Sequence, residues 1–184
     1  GGAGREVIVR RTSLGPVLLQ TGNGTRFVRQ SSYWMRELES VDALANLWRA
    51  KTAAEANAAI SRATMSFNFF FATRGGEIGF RYGGLVPVRR MDQDPRLPSL
   101  PDASWLRMMR PDEMPQVVNP REGLLTNWNN RPSSGWLNAD TPAFGRLHRV
   151  SALRAALPKG PLTAQDVERA AWTIRSEERR VGKE

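Results

Sequence analysis

Hydrophobic positions along the chain change period several times, and each change predicts an element. In "EVIVRR" (6–11) Val7 and Val9 alternate with polar partners, which predicts a short strand. "LGPVLLQT" (14–21) predicts a second strand, with Pro16 suited to its start or to a sheet edge because proline has no N–H to donate. Trp34, Leu38, Val41, Leu44 and Trp48 recur at three- and four-residue steps, one apolar stripe of a helix. Thr52 and Glu55 make a capping-box pattern ahead of an alanine-rich helix reaching about Arg62. Core packing is the expectation for both helices. "MSFNFFFATRGGEIGFRYGG" (65–84) predicts a hairpin, with Phe67, Phe69 and Phe71 on one face and Arg74, Gly75 and Gly76 in the turn.

Residues 84–120 carry Pro87, Pro95, Pro98, Pro101, Pro111, Pro115 and Pro120. So many fixed φ angles and missing donors predict a long ordered loop rather than helix or sheet. "EGLLTNWNN" (122–130) reads as a strand, residues 145–157 as a helix, and Thr163 with Asp166 as the cap of a last helix. Helices and antiparallel strands together predict an α+β fold with helices layered on a sheet.

Composition narrows the chemistry. No cysteine is present, so disulfides, thiolate nucleophiles and cysteine zinc sites are excluded, and the lone His148 excludes a multi-histidine metal site. No apolar run is long enough to span a bilayer, so no membrane partner is expected. The first residues lack the basic-then-apolar order of a signal peptide. The net charge is +9. It reads either as a solvated arginine-rich surface or as the mark of an anionic partner. The arginines are spread along the chain with no basic block of five, which weighs against nucleic acid.

The last ten residues, "RSEERRVGKE" (175–184), carry seven charges. They resemble the in-frame translation of a sequencing-library adapter. The expectation is a fold confined to residues 1–174, followed by a non-native tail.

The three asparagines of "NWNN", Asn127, Asn129 and Asn130, allow two readings. Asparagine hydrogen-bonds local backbone and holds turns well. An amide is also a neutral, pre-aimed donor, which is what an oxyanion hole requires. Neighbouring blocks bear on the choice. "DPRLP" (94–98), "NPREGLLTNWNNRP" (119–132), "LNADTPAF" (137–144) and "HRVSAL" (148–153), in this order and spacing, resemble the penicillin acylase family of N-terminal-nucleophile hydrolases. "RRTSLGPVL" (10–18) and "NFFFATRGGEIGFRYGGLVPVR" (68–89) are similar to that family's β-chain, whose usual forms are T-x-x-G-P-V and N-x-x-x-A-D-x-x-G-x-I. Thr73 stands where the family usually has Asp.

The resemblance implies part of a four-layer αββα fold and an amidohydrolase that cleaves linear N-acyl bonds of penicillin, cephalosporin or acyl-homoserine lactone type. It puts the oxyanion-hole side-chain donor at Asn129. It puts an arginine that orients substrate at Arg149, with a small offset in spacing. It implies a structural Ca²⁺, with the Pro95 carbonyl and the Asp140 carboxylate among its oxygen ligands, no organic cofactor, and a periplasmic or secreted location. Such enzymes attack with the hydroxyl of a β-chain N-terminal serine whose own α-amino group is the base. Gly1 is not that serine, and Ser13 and Ser66, placed in predicted strands, have no free amine. A Ser–His pair through His148 lacks a nucleophile-elbow sequence. The expectation is therefore an internal β-chain segment, inactive alone, whose partners are the α-chain, the rest of the β-chain and a small N-acyl substrate. Phe69, Phe71 and Trp128 are candidates for an acyl pocket, with core burial the plainer role for each. The competing reading is a non-catalytic basic module for an anionic polymer, marked by strongly salt-dependent binding.

Overall fold

The computed structural model describes Gly4, residues 7–136 and residues 147–181; for 147, 148 and 176–181 it describes the backbone alone. The chain opens with a small antiparallel sheet of β1 (Arg11–Thr12), β2 (Gly15–Gln20) and β3 (Arg26–Val28). Gly15 has φ +144°, and a Cβ there would lie 2.1 Å from the Arg29 carbonyl oxygen, so the β2–β3 approach requires glycine. The strand expected over "EVIVRR" shrinks to β1. Residues 7–10 are irregular and Val7, Ile8 and Val9 are exposed, because the described residues offer their alternating side chains no surface to cover.

Two helices follow, α1 (Glu37–Arg49) and α2 (Ala53–Ile60). The capping box on α2 is present in both directions. The Glu55 N–H donates to Thr52 Oγ1 at 3.2 Å, and the Thr52 N–H donates to Glu55 Oε2 at 3.2 Å. Ala53, Ala56, Ala59 and Ile60 of α2 are buried, as expected. The expectation for α1 fails. Its buried residues are Ser40 and Ala43, while Leu38 is 81% and Trp48 85% exposed and Val41 and Leu44 also face outward. A polar latch sets this orientation. Ser40 Oγ accepts from the Thr64 and Met65 N–H groups at 2.9 Å, and Thr64 Oγ1 donates to the Arg36 carbonyl at 2.8 Å. With the Thr64 proton so committed, the 2.8 Å contact between the two hydroxyls makes Ser40 the donor. Small residues therefore meet α2 and the bulky stripe turns away.

The central sheet runs β4 (Phe67–Ala72), β5 (Ile78–Gly83) and β8 (Gln116–Val118), all antiparallel. The β4–β5 hairpin is the one expected. Its turn closes with Gly76 N–H to Thr73 O at 3.1 Å and Thr73 N–H to Glu77 O at 2.9 Å. Thr73 Oγ1 accepts from the Glu77 N–H at 3.2 Å, so its hydroxyl does at this position what a carboxylate would do. Glu77 Oε2 accepts from the Ala53 N–H at 3.0 Å, joining the turn to the start of α2.

Both faces of β5 are covered. On one face Phe71 lies over Gly79 and Phe69 over Gly83, with Ile60 of α2 close to Gly83. On the other, Phe80 and Tyr82 join Val86, Met114 and Trp136 in the main core cluster, the Tyr82 and Trp136 rings meeting edge to face at 5.3 Å. Arg81 is buried too; its guanidinium donates to Gln116 Oε1 and to the Pro111 carbonyl, and desolvation lowers its pKa.

The proline-rich stretch is irregular over much of its length, but it is not only a loop. It forms a two-stranded ribbon of β6 (Pro87–Val88) and β7 (Arg107–Met108), a 3-10 turn at Pro111–Glu113, and β8 itself. Pro115 precedes β8 and costs the sheet no donor, which is why a strand survives there. "EGLLTNWNN" forms no strand. Helices α3 (Leu147–Ala156) and α4 (Ala164–Val181) complete the described chain, and Thr163 and Asp166 exchange the expected capping bonds at 3.0 and 3.2 Å. The segment 137–146 lies outside the described residues. Among the described residues no helix is long and apolar enough to cross a membrane. The architecture is α+β.

Two predictions follow from the central sheet and the loop beside it. Gly79→Ala would place a Cβ 2.1 Å from the Phe71 ring, so it lowers stability by about 1–3 kcal/mol, read from the urea midpoint at unchanged m. Glu113 accepts from Arg107 at 2.6 Å and from the Arg110 N–H at 2.7 Å, which brings its carboxyl from 4.5 to about 2. A depressed folded-state pKa contributes stability above the unfolded value and loses it on acidification. The Arg110 amide therefore keeps its hydrogen-exchange protection above pH 4.5 and loses it as pH falls towards about 2.

Candidate active site

The residues of "NWNN" fold into a turn because their side chains take backbone donors that a strand would give to a neighbour. The Asn129 N–H donates to Asn127 Oδ1 at 2.9 Å and the Trp128 N–H to Asn130 Oδ1 at 2.9 Å. Asn127 Nδ2 donates to the same Asn130 Oδ1 at 2.9 Å, cross-linking the two flanking amides. Asn129 is left-handed, with φ +52°, a conformation asparagine tolerates. These bonds consume the backbone donors of residues 128 and 129, which is the physical reason the expected strand is absent.

The three amides divide the work. Asn127 and Asn130 hold the turn. Asn129 is exposed, and among the described residues its carboxamide makes no hydrogen bond. Two side chains are thus structural, and the third is presented outward without a hydrogen bond among the described residues.

The turn is anchored from two sides. Asn68 Nδ2, from β4, donates to the Asn130 carbonyl at 3.0 Å. From α3, Arg154 Nε donates to Thr126 Oγ1 at 2.9 Å and its Nη2 lies 3.4 Å from Glu122. Arg149, also on α3, sits with its guanidinium 5.7 Å from the centre of the Trp128 ring, a cation–π distance. The structure thus brings Asn129 and Arg149 to one place, with Trp128 as the bridge between them. Trp128 serves as that platform, and Phe69 and Phe71 cover β5 glycines. Asn68 went unassigned in the sequence although it opens the block "NFFFATRGGEI"; no periodicity separates one amide in a phenylalanine-rich strand from a surface residue.

Pro95 lies elsewhere. It lines a cavity of about 550 Å³ together with Arg29, Ser66, Arg89, Arg96 and Trp105, and no residue of the asparagine turn borders that cavity. Beside it, Asp94 is bound by Arg96 at 2.6 and 2.8 Å, and that guanidinium holds its carboxyl at about 2. The surroundings of Pro95 offer its peptide carbonyl and a carboxylate already neutralised. Among the described residues no three His, Cys, Asp or Glu side chains gather as a metal cluster. Asp140, the second ligand implied by resemblance, lies outside the described residues. These positions supply hard oxygens of the chemistry calcium takes, but too few to close its shell of about 6–8 ligands.

The serines set aside in the sequence are not in strands. Ser13 is in the turn between β1 and β2, and Ser66 precedes β4. His148 falls in the first turn of α3, where the backbone alone is described.

Comparison with known proteins bears on the family and the fold. The family model for penicillin amidase matches residues 1–180. A penicillin G acylase from Escherichia coli is 29% identical over 163 residues, which is 85% of this chain and 19% of that protein. The solved structure of a thermostable penicillin G acylase from Alcaligenes faecalis superposes with a TM-score of 0.83 at 28% identity, over 95% of this chain and 32% of that one. The chain thus spans about a fifth to a third of the relatives it matches, and its α+β architecture is part of their N-terminal-nucleophile hydrolase fold. With a family model that matches nearly the whole chain and a solved relative of the same fold, the chain belongs to the penicillin amidase family.

Proposed function

We propose that the protein carrying this chain is an amidohydrolase that cleaves linear N-acyl bonds through an acyl-enzyme, and that Asn129 is the side-chain donor of its oxyanion hole. One observation carries the reading: a carboxamide that makes no hydrogen bond among the described residues, presented from a turn that its own neighbours lock. Attack on an amide carbonyl turns a neutral oxygen into an alkoxide. A donor held by a locked turn and not committed to an internal bond meets that charge with little reorganisation. The nucleophile is a serine hydroxyl from outside these residues, with its own α-amino group as base, since an α-amino pKa of about 7.7–8.0 leaves it partly unprotonated near neutral pH.

Arg149 is the substrate-orienting cation of this proposal. Trp128 holds its guanidinium beside the turn, where it acts on polar or anionic groups of the bound acyl compound. Penicillins, cephalosporins and acyl-homoserine lactones all present an N-acyl group, and the pocket that chooses among them is shared with segments beyond this chain. The protein is placed in the periplasm or outside the cell, and the α-chain and remaining β-chain are its partners.

The alternative, a basic module for an anionic polymer, rests on net charge. Many of those arginines are committed to nearby carboxylates, among them Arg36 to Glu39, Arg62 to Asp42, Arg90 to Asp92, Arg96 to Asp94 and Arg107 to Glu113. Such pairs leave the net charge of +9 unchanged but scatter the arginines in local pairs, and no basic block of five forms along the sequence, so no observation favours this reading over the first.

In the full-length processed enzyme, Asn129→Ala lowers kcat on a chromogenic N-acyl substrate by about 10²–10³ and leaves KM nearly unchanged. An unchanged kcat would refute the oxyanion role. Calcium is proposed as a structural ion, held by the Pro95 carbonyl, the Asp140 carboxylate and donors beyond this chain, where it would fix local charge and geometry. Chelation of the full-length protein lowers its Tm, and added Ca²⁺, unlike Mg²⁺, restores it; a Tm indifferent to chelator removes the ion from the account.

A further inference from the structure

Asn68 interrupts a strand of phenylalanines. Its neighbours in β4 are Phe67, Phe69, Phe70, Phe71 and Ala72, and it pairs across the hairpin with Tyr82. That places it on the Tyr82 face of the sheet, the face on which Trp136 and the asparagine turn lie. Its Nδ2 donates to the Asn130 carbonyl at 3.0 Å, across 62 residues of chain. Its Oδ1 is buried and finds no hydrogen-bond partner among the described residues. The amide cannot be turned round to relieve this, because its oxygen would then face the Asn130 carbonyl, acceptor against acceptor. The site thus keeps a buried amide half satisfied, an arrangement that normally costs stability.

Hairpin geometry alone does not call for such a residue. What the amide reaches is Asn130, and Asn130 is the node of the turn. Its carbonyl accepts from Asn68, and its Oδ1 accepts from Asn127 Nδ2 and from the Trp128 N–H. Asn127 Oδ1 in turn holds the Asn129 N–H. A displacement of the Asn130 backbone is therefore passed through two short links to the residue that carries the exposed carboxamide. β4 is paired to β5 along its whole length, so Asn68 gives the turn a rigid reference that a loop contact would not.

We infer that Asn68 is a positioning residue for the oxyanion donor: its bond to the Asn130 carbonyl fixes the asparagine turn to the sheet and sets the aim of Asn129. The inference rests on the role proposed for Asn129 above. Asn68 touches no reacting atom and acts only through the turn.

The test is a double-mutant cycle in the full-length processed enzyme with a chromogenic N-acyl substrate. Asn68→Asp keeps the size of the side chain and removes the donor. It is expected to lower kcat by roughly 10-fold to 10²-fold at unchanged KM, the scale of a catalytic group displaced by about 1 Å. In an Asn129→Ala background the same substitution is expected to lower kcat no further, because there is no donor left to aim. An equal loss in both backgrounds, or no loss in either, overturns the inference. Should Asn68→Asp not fold, Asn68→Ala is read in the same cycle; if neither variant folds, Asn68 is a residue of the fold and the positioning role is overturned. The cycle also separates the two claims. If Asn129→Ala is fully active, the oxyanion reading falls and this one with it. If Asn129→Ala is impaired but Asn68→Asp acts additively, this one falls alone.

Discussion

Strand β5 is covered on both faces, and the position of every other part of the described site follows from that double burial. Gly79 and Gly83 leave room for the rings of Phe71 and Phe69, and α2 closes over the same face through Ile60. On the opposite face Phe80 and Tyr82 need apolar partners, and they find them in Val86, Met114 and Trp136. Trp136 comes from the segment that follows the asparagine turn, while Met114 comes from the one that precedes β8. Burying Tyr82 therefore draws both flanks of residues 115–136 onto the sheet. Each buried aromatic is worth about 1.5–3 kcal/mol, more than the local bonds within the turn, so the core decides where the turn lies and the amides decide its shape.

A hierarchy of this kind explains how a surface loop is held in one geometry. The asparagine turn has no regular ladder of its own. It is tied below to β4 through Asn68, and to α3 through Arg154, with Thr126 and Glu122 as acceptors. Trp128 meets Arg149 from the same helix. A rigid sheet on one side and a helix on the other constrain a short irregular segment between them, which is how functional side chains on loops are commonly held.

Much of this was legible in the sequence, and the parts that were not have definite causes. Both capping boxes, Thr52–Glu55 and Thr163–Asp166, are local and reciprocal, so residue type and spacing define them without reference to the rest of the molecule. The β4–β5 hairpin is also local. Strand β8 was hidden because prolines surround it, and its pairing with β5 is a long-range event that no window of sequence contains. "EGLLTNWNN" looks extended by composition, yet side chain to backbone bonds capture its donors. The stripe on α1 is a true helical period, but period alone does not say which face a helix buries. Ser40 and Thr64 do, through hydrogen bonds between residues that hydropathy ranks as surface. For the site, Asn129 and Arg149 came from resemblance, and the structure adds their common neighbour Trp128. Asn68 stands at the first fixed position of the resembled form N-x-x-x-A-D-x-x-G-x-I, but neither that form nor the hydrophobic period says what the amide reaches.

The left-handed backbone at Asn129 has an evolutionary consequence. The position must satisfy two independent demands. Under the proposed role its side chain has to offer an uncharged N–H donor at a fixed reach, and its main chain rests at φ +52°. Glycine meets the second demand and has no donor. Glutamine offers a donor, but it is one methylene too long and resists that backbone, at a cost of about 1–2 kcal/mol for an ordinary L residue. Asparagine meets both. Under that role, drift at this position is restricted by geometry as well as by chemistry, and where the role is lost only the backbone demand remains, which glycine also meets. A glycine found here in a distant homologue would therefore keep the turn and give up the donor, separating the backbone demand from the proposed chemical one.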